Sequence, residues 1–145
     1  MSHRIFEMSN RIDAVDPMVL TLREEVEADL ADDTRFRFEI CITEILANLV
    51  NHAQTKISDA AIKISLSVKP GSASIEIFDP IGAKPFDIRE YATDLSQVDA
   101  MAEGGRGLGL IMECADEVKY SRSGDRNSLR LEFWDESQTE TSELP

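Results

Sequence analysis

The chain has little positive charge. It carries 15 lysine and arginine residues against 28 aspartate and glutamate residues, and its formal net charge is −13 at pH 7. A protein that binds nucleic acid or an anionic membrane needs a basic surface patch, and the sequence contains no such cluster. This shortage argues against both classes of partner. A nucleotide remains a feasible ligand if backbone N–H groups, a metal ion and a few well-placed cations bind its phosphates.

The sequence also lacks long apolar runs. No stretch approaches the ~18 unbroken apolar residues of a membrane-spanning helix, and no apolar segment typical of an export signal follows Met1. Cysteine is rare, since only Cys41 and Cys114 occur, both in apolar, helix-like surroundings. We therefore expect a cytoplasmic protein whose two cysteines are buried free thiols and form no disulfide.

The spacing of apolar residues predicts one strand and two helices in the first third of the chain. The strand is expected around residues 5–8. Asp16 and Pro17 have the composition of a helix start, with the aspartate as cap and the proline at the first helical position. Thr34 is a candidate cap for a second helix that extends to about Gln54. The apolar face of this second helix is predicted to carry Phe38, Ile42, Ile45, Leu46, Leu49 and Ala53.

Alternating apolar residues predict two β-hairpins further along the chain. The expected strands cover residues 61–68, 73–79, 118–121 and 129–134. A weakly patterned segment and a helix that ends near Ala115 separate the two hairpins. This order of elements predicts an α+β fold, a two-layer α/β sandwich with a mixed, mostly antiparallel sheet and helices on one face. We expect residues 1–134 to form a single domain and residues 135–145 a disordered acidic tail.

Polar residues form one stripe along the second predicted helix. Glu44, Asn48 and His52 follow one another at intervals of four residues, which places them on one face of the helix. Most such stripes are solvated faces rich in lysine and glutamate. This one, on which Asn51 also falls, holds a carboxylate, two carboxamides and an imidazole, which suit a half-buried groove. A carboxylate can act as a general base, and an amide oxygen can bind Mg²⁺.

An aspartate and a glycine follow the first of the predicted hairpins. Asp79 ends the alternating pattern, and Pro80 stops the strand because it has no N–H group to donate. Gly82 follows two residues later. Taken alone, these residues indicate a turn aspartate and no particular chemistry.

Four of the seven glycines stand together before an apolar, helix-like stretch. Glycines allow the backbone to approach a phosphate closely, and the start of a following helix offers free N–H groups. A flexible hinge before a helix is the alternative interpretation. No Gly-Lys-Ser/Thr occurs, which excludes a P-loop, and the glycine spacing does not fit a dinucleotide-binding motif. The residues concerned are Gly104, Gly105, Arg106, Gly107 and Gly109.

In this order, the three groups of residues resemble the motifs of the GHKL (Bergerat-fold) ATP-binding family. The resemblance is greatest to the anti-sigma factor serine/threonine kinases of partner-switching systems. Residues 43–53 resemble the N box of that family. Residues 79–87 resemble its first glycine box with the Pro-Phe-Asp that follows, and residues 104–118 resemble its second glycine box. The resemblance spans about residues 10–134, and the combination of motifs is specific although each motif alone is not.

The resemblance implies a role for each residue of the first two motifs. Glu44 would be the general base that activates the acceptor hydroxyl. Asn48 would bind the Mg²⁺ that bridges the phosphates, and His52 would support the site. Asp79 would accept a hydrogen bond from the adenine amino group, and the hydroxyl of Ser128 would assist there.

The glycine-rich motifs would bind the phosphates of ATP. The backbone at Gly105, Gly107 and Gly109 would wrap around them, with Arg106 nearby. The family usually has Asp-x-Gly in its first glycine box, whereas this chain has Asp-Pro-Ile-Gly. The proline removes one backbone donor, which leaves the role of Gly82 and of the adjacent loop open.

Two functions follow from these expectations. The resemblance implies a kinase that transfers the γ-phosphoryl group of ATP to an anti-sigma factor antagonist and sequesters a sigma factor or a similar partner. It also implies a homodimer. The alternative is a nucleotide-gated protein-binding regulator without phosphotransfer. The intact Glu44 favours the kinase, and the altered segment after Asp79 keeps the alternative open.

Overall fold

The computed structural model describes residues 1–52, 60–80, 114–123 and 126–136. The N-terminal part contains strand β1 and two helices, α1 and α2, and a single 3-10 turn at Ile12–Ala14 precedes α1. Four further strands follow. The bounds are Ser2–Ser9 for β1, Val15–Val26 for α1, Asp32–His52 for α2, Ala61–Lys69 for β2, Ser72–Phe78 for β3, Glu117–Ser123 for β4 and Arg126–Trp134 for β5.

The five strands form one sheet in the order β1-β2-β3-β5-β4. Each of the four pairings in the described part of the chain is antiparallel. In the register of the central strands, Ile64 of β2 lies opposite Ile77 of β3, which lies opposite Leu129 of β5. Because opposite residues point to the same face, this register places the apolar residues of all three strands on one side of the sheet. The predicted α+β class and the antiparallel hairpins are confirmed.

The core lies between this apolar face and the two helices. Phe38 of α2 and Phe133 of β5 are both fully buried, and their rings meet edge to face with centroids 5.3 Å apart. Such a contact adds to the free energy gained by burying the two rings. The buried face of α2 matches the sequence prediction for Phe38, Ile42, Ile45, Leu46 and Leu49, whereas Ala53 lies outside the described residues.

The starts of both helices differ from the sequence prediction. The 3-10 turn runs directly into α1, which begins at Val15 with Ala14 as cap and no side-chain cap. Asp16 therefore lies in the first turn of α1, where its negative charge still stabilises the helix by interacting with the helix dipole. Helix α2 begins at Asp32, so Thr34 is not its cap. Neither helix in the described ranges has the length and apolar character needed to span a membrane.

The turn between β2 and β3 connects three distant parts of the chain. Gly71 has a φ of 84°, a conformation in which glycine is favoured because it has no Cβ. Its N–H group donates to the carbonyl of Asp29, and its carbonyl accepts from the N–H group of Asp135. The Asp135 carboxylate in turn accepts from the N–H group of Ala31. The first residue of the expected tail is thus hydrogen-bonded in the fold, and residues 137–145 lie outside the described part.

Candidate ATP-binding site

Helix α2 carries the first two candidate residues side by side. Asn48 is only 6% exposed, and Glu44 is half-buried one turn before it. The Asn48 Nδ2 donates to the Glu44 backbone carbonyl at 2.7 Å. Because this bond occupies the amide nitrogen, the amide oxygen is the atom of Asn48 that can bind a hard cation. The predicted stripe is therefore half-buried at these positions and not a solvated face.

Glu44 also borders a shallow groove along the outer side of α2. Phe36, Ile40 and Thr43 line it together with Glu44 and Glu39. The Thr43 hydroxyl donates to the Glu39 carbonyl at 2.7 Å, so it does not compete for the Glu44 carboxylate. Glu44 is thus a carboxylate of the polar stripe that borders this groove. His52 is the last residue of α2, and its side chain lies outside the described part of the structure.

Asp79 follows the last residue of β3 and is 6% exposed. Its N–H group donates to the Asn127 carbonyl at 2.9 Å, and its own carbonyl accepts from the Arg126 Nε at 2.8 Å. The Arg126 guanidinium also donates to the Ala61 carbonyl at 3.4 Å and lies 5.6 Å from the ring centre of Phe78. The backbone of Asp79 is therefore fixed on both sides, and Arg126 is the side chain that joins the ends of β2, β3 and β5.

A small cavity lies between α2 and the sheet beside Asp79. Its walls are mainly apolar and come from α2, β3, β4 and β5, and Asp79 supplies the one carboxylate. A buried carboxylate beside apolar walls has the chemistry that recognises the amino group of adenine, whereas the cavity itself, at about 10 Å³, is far smaller than the base. The lining residues are Ile45, Leu49, Ile77, Asp79, Tyr120, Ser128 and Leu129.

The cavity also relates the two groups of candidate residues to each other. Ile45 and Leu49 stand next to Glu44 and Asn48 in the sequence, and they share this cavity with Asp79. The fold thus brings the part of α2 that carries the polar stripe to the end of β3. The family resemblance implies that these two groups of residues share one site, and the roles of the individual residues stay predictions.

The Ser128 hydroxyl has a protein partner that the sequence does not predict. It donates to the Glu76 carboxylate at 2.7 Å, and Ser128 lies opposite Phe78 in the register. Its side chain therefore points to the face of the sheet away from the helices. Asn127, which is 2% exposed, alternates with Ser128 and lies on the same face of β5 as Leu129. Asn127 and Arg126 are the residues near Asp79 that sequence reasoning did not single out.

The remaining candidate residues lie outside the described part of the chain. Among the described residues, no group of three or more histidine, cysteine, aspartate or glutamate side chains could hold a metal ion. A Mg²⁺ bound by Asn48 would therefore take most of its ligands from phosphates and water, as is usual for this ion. The undescribed candidates are Gly82, Gly104, Gly105, Arg106, Gly107 and Gly109.

The class of protein follows from a family comparison. Residues 8–133 match the family described as the histidine kinase-like ATPase domain. The chain belongs to this family, and the resemblance to GHKL proteins is confirmed. Membership of an ATPase family implies that the chain binds ATP.

Individual proteins resemble the chain in sequence or in fold. The chain is 31% identical over 113 residues to the serine/threonine-protein kinase BtrW of Bordetella bronchiseptica, and the match covers 77% of this chain and 76% of that protein. A solved structure of the RsbU and RsbW domains of a Mycobacterium tuberculosis protein covers 91% of this chain with a TM-score of 0.61 and 15% identity. The chain spans 32% of that structure's length.

A second solved structure supports the fold assignment. The histidine kinase domain of a blue-light activated kinase from Erythrobacter litoralis covers 92% of this chain, with a TM-score of 0.53 and 13% identity, and the chain covers 65% of its length. At such identities the two solved structures show the fold alone. Only the family match and the relative named as a kinase therefore bear on function.

Proposed function

We propose that this protein is an ATP-dependent serine/threonine protein kinase. The proposal rests on one observation above all: a half-buried glutamate and a buried, oriented asparagine lie one turn apart on a helix that shares a cavity with a buried aspartate. These are a base, a ligand for Mg²⁺ and an acceptor for adenine. The relative named as a serine/threonine-protein kinase supports the same activity.

Glu44 acts as the general base in this proposal. Its carboxylate takes the proton of the acceptor hydroxyl while the hydroxyl oxygen attacks the γ-phosphorus of ATP, and ADP leaves with the electrons of the broken P–O bond. The Asn48 oxygen helps to bind Mg²⁺, which neutralises charge on the phosphates when bound. His52 supports this part of the site. Phosphoryl transfer depends mainly on positioning and charge stabilisation, so few residues suffice.

The adenine and phosphate groups have separate binding residues in the proposal. Asp79 accepts a hydrogen bond from the adenine amino group, and Ser128 contributes to the cavity wall beside it. Gly82, three residues after Asp79 in the sequence, belongs to the same motif. Arg106 and the backbone of the second glycine box bind the phosphates; the glycines of that box are Gly104, Gly105, Gly107 and Gly109.

The proposed partners are proteins. The acceptor is an anti-sigma factor antagonist, and a sigma factor or a similar regulator is sequestered by the kinase. We infer in addition that the kinase is a cytoplasmic homodimer. The support for these partners is the resemblance to partner-switching kinases, and the charge of −13 favours partners with basic patches.

A nucleotide-gated regulator without phosphotransfer is the second candidate function. Pro80 directly follows Asp79 and is buried, and it replaces a residue that could donate a backbone hydrogen bond. A site with one donor fewer could bind nucleotide and still fail to position the γ-phosphate.

A single-turnover assay with labelled ATP and a candidate antagonist separates the two functions. The kinase should transfer label to a serine or threonine, and Glu44→Gln should slow transfer by roughly 10²–10⁴-fold while it still binds ATP, because glutamine keeps the shape but takes no proton. Glu39→Gln is the matched control, since Glu39 lies on the same helix and borders the same groove. Nucleotide-dependent partner binding without label transfer would establish the second function instead. Unchanged transfer by Glu44→Gln would remove Glu44 as the base.

A further inference from the structure

The only two cysteines of the chain meet in the fold. Cys41 lies on α2, is fully buried and belongs to the hydrophobic core. Cys114 lies just before β4, is half-buried and packs against the same core. The Cys41 thiol lies near enough to the Cys114 side chain for the two to interact directly. They are far apart in the sequence, so their contact results from the tertiary fold alone.

Hydrogen bonds hold the backbone around Cys114 against α2. Arg37 lies one turn before Cys41, and its Nη1 donates to the Cys114 carbonyl at 2.7 Å and to the Asp116 carboxylate at 3.2 Å. The same carboxylate accepts from the Trp134 N–H group at 2.8 Å, and Arg37 Nη2 donates to the Trp134 carbonyl at 3.3 Å. The approach of the two thiols is therefore fixed by contacts that do not involve sulfur.

We propose that Cys41 and Cys114 form a reversible intramolecular disulfide when the protein reacts with a peroxide. Neither cysteine is part of a disulfide in the structure, which is the reduced state expected from the sequence. The proposal adds an oxidised state that the sequence did not predict. It is independent of the proposed kinase activity.

The difference in exposure sets the order of the reaction. Cys114 is the more exposed of the two cysteines, so its thiolate attacks one peroxide oxygen; the O–O bond breaks, the sulfur becomes a sulfenic acid and hydroxide leaves. The Cys41 sulfur then attacks the Cys114 sulfur, the S–O bond breaks, and the departing hydroxide takes the Cys41 proton as water. In total, two thiols lose two electrons and two protons, and one molecule of hydrogen peroxide becomes two waters.

The environment of Cys41 fits the role of the second thiol. Burial raises the pKa of the Cys41 thiol, and the neighbouring Cys114 raises it further. A protonated, fully buried thiol reacts slowly with a dissolved oxidant. It reacts readily only with a sulfenic acid that the fold brings into contact with it.

The cross-link would enclose most of the proposed ATP site. The loop from Cys41 to Cys114 contains Glu44, Asn48 and Asp79 and both glycine-rich motifs. Closing a loop of this length removes much of the conformational freedom of the unfolded chain. The melting temperature of the oxidised protein should therefore rise by at least about 5 °C.

Peroxide treatment followed by alkylation of the remaining thiols and peptide mass spectrometry tests the proposal. We expect a peptide pair linked through Cys41 and Cys114, a loss of two hydrogen atoms from the monomer mass, and a rise in melting temperature that dithiothreitol reverses. Cys114→Ser is the matched control, and it should show neither the link nor the rise. Because it leaves the buried Cys41 in place, this variant is expected to keep the core intact.

Three outcomes would overturn the proposal. They are alkylation of both thiols after peroxide treatment, further oxidation of Cys114 with Cys41 still free, and a disulfide that joins two copies of the chain. A rise in melting temperature that persists in Cys114→Ser would likewise exclude the cross-link as its cause. None of these measurements depends on nucleotide or on an acceptor protein.

Discussion

The Asn48 carboxamide is held through its nitrogen, which donates to the Glu44 carbonyl at 2.7 Å, so its oxygen is the group that we propose binds Mg²⁺. Asn48→Ala removes this oxygen and leaves the backbone bonds of α2 intact. We expect ATP to bind the variant at least about tenfold more weakly in Mg²⁺, which corresponds to about 1.4 kcal/mol. Titration calorimetry in Mg²⁺ and in EDTA measures the effect, which should nearly vanish in EDTA.

The exposed Asn51 on the same helix provides the control. Asn51→Ala should bind ATP as the unaltered chain does in both buffers. Equal losses for Asn48→Ala with and without Mg²⁺ would mean that Asn48 acts on the nucleotide or on the fold and not through the metal ion.

Arg126 is the residue that fixes Asp79, through the 2.8 Å bond from its Nε to the Asp79 carbonyl. Arg126→Gln removes a charged donor to a buried carbonyl, and such a bond contributes roughly 1.5–3 kcal/mol. We expect the free energy of unfolding to fall by about this amount and ADP affinity to fall as well, because the Asp79 carboxylate loses its fixed position. Urea unfolding and ADP titration measure the two effects.

Arg122 is a matched control for Arg126, since it is an exposed arginine on the neighbouring strand β4. Arg122→Gln should change neither quantity appreciably. If Arg126→Gln lowers stability but leaves ADP affinity intact, Arg126 supports only the sheet, and its role in positioning Asp79 is refuted.

At the scale of secondary-structure elements, the strands and α2 could be predicted because their residues alternate or repeat with a clear period. Strand β2 shows strict alternation of buried and half-buried residues along Ala61–Val68, which the sequence displays directly. The start of α1 could not be predicted. The 3-10 turn Ile12–Ala14 continues directly into the helix, and no side chain caps the helix start. A prediction that relies on capping residues therefore cannot locate this start.

The candidate site was predicted in part for similar reasons. Glu44, Asn48 and Asp79 stand in motifs whose spacing is visible in the sequence. Arg126 was not found, because its role depends on the ends of three strands that meet only in the folded sheet. The partner of Ser128 was also hidden, since it follows from the register of β5 against β3, which fixes the face to which the hydroxyl points.

The backbone geometry of the β2–β3 turn favours glycine at one position. Gly71 has a φ of 84° and bonds to the carbonyl of Asp29 and the N–H group of Asp135. Gly71→Ala places a Cβ in the left-handed region, at a cost of about 1–2 kcal/mol. We expect urea unfolding to show this loss, and ADP affinity to stay unchanged because the turn is not part of the cavity beside Asp79.

Ser72→Ala, at the first residue of β3 directly after the turn, is the control and should lose much less stability. An unchanged free energy of unfolding for Gly71→Ala would indicate that the turn relaxes. A clear loss of ADP affinity would show that this end of the sheet and the nucleotide site are coupled.

At the scale of the whole molecule, an acidic chain must bind an anionic nucleotide. The net charge of −13 disfavours the binding of an anion. This electrostatic penalty is reduced because the proposed binding groups contact the nucleotide at short range. In the proposed function, Asp79 binds the base, Asn48 binds a metal ion, and the glycine-rich motifs bind the phosphates. The affinity should therefore depend on Mg²⁺ and on the identity of the base more than on overall charge.

The last prediction follows from this dependence. ADP binds only the folded chain, so at about 100 times its dissociation constant it should add about 2.7 kcal/mol to the free energy of unfolding. For a chain of this size the melting temperature should rise by about 5–10 °C. GDP should give a much smaller rise, because guanine presents a carbonyl oxygen to the Asp79 carboxylate where adenine presents an amino group, and two acceptors repel each other. Thermal melts with Mg²⁺ and each nucleotide measure the difference.

Asp79→Asn tests whether Asp79 is the source of this selectivity, since asparagine keeps the size of the side chain but can donate to the guanine oxygen. The gap between the ADP and GDP shifts should narrow in this variant, while Asp33→Asn, an exposed change in the first turn of α2, should leave the gap as it is. Equal shifts for ADP and GDP with the unaltered chain would argue against Asp79 as the adenine selector. A gap that survives Asp79→Asn would move base selection to other residues, and Asn127, on the same face of β5, would be the first to test.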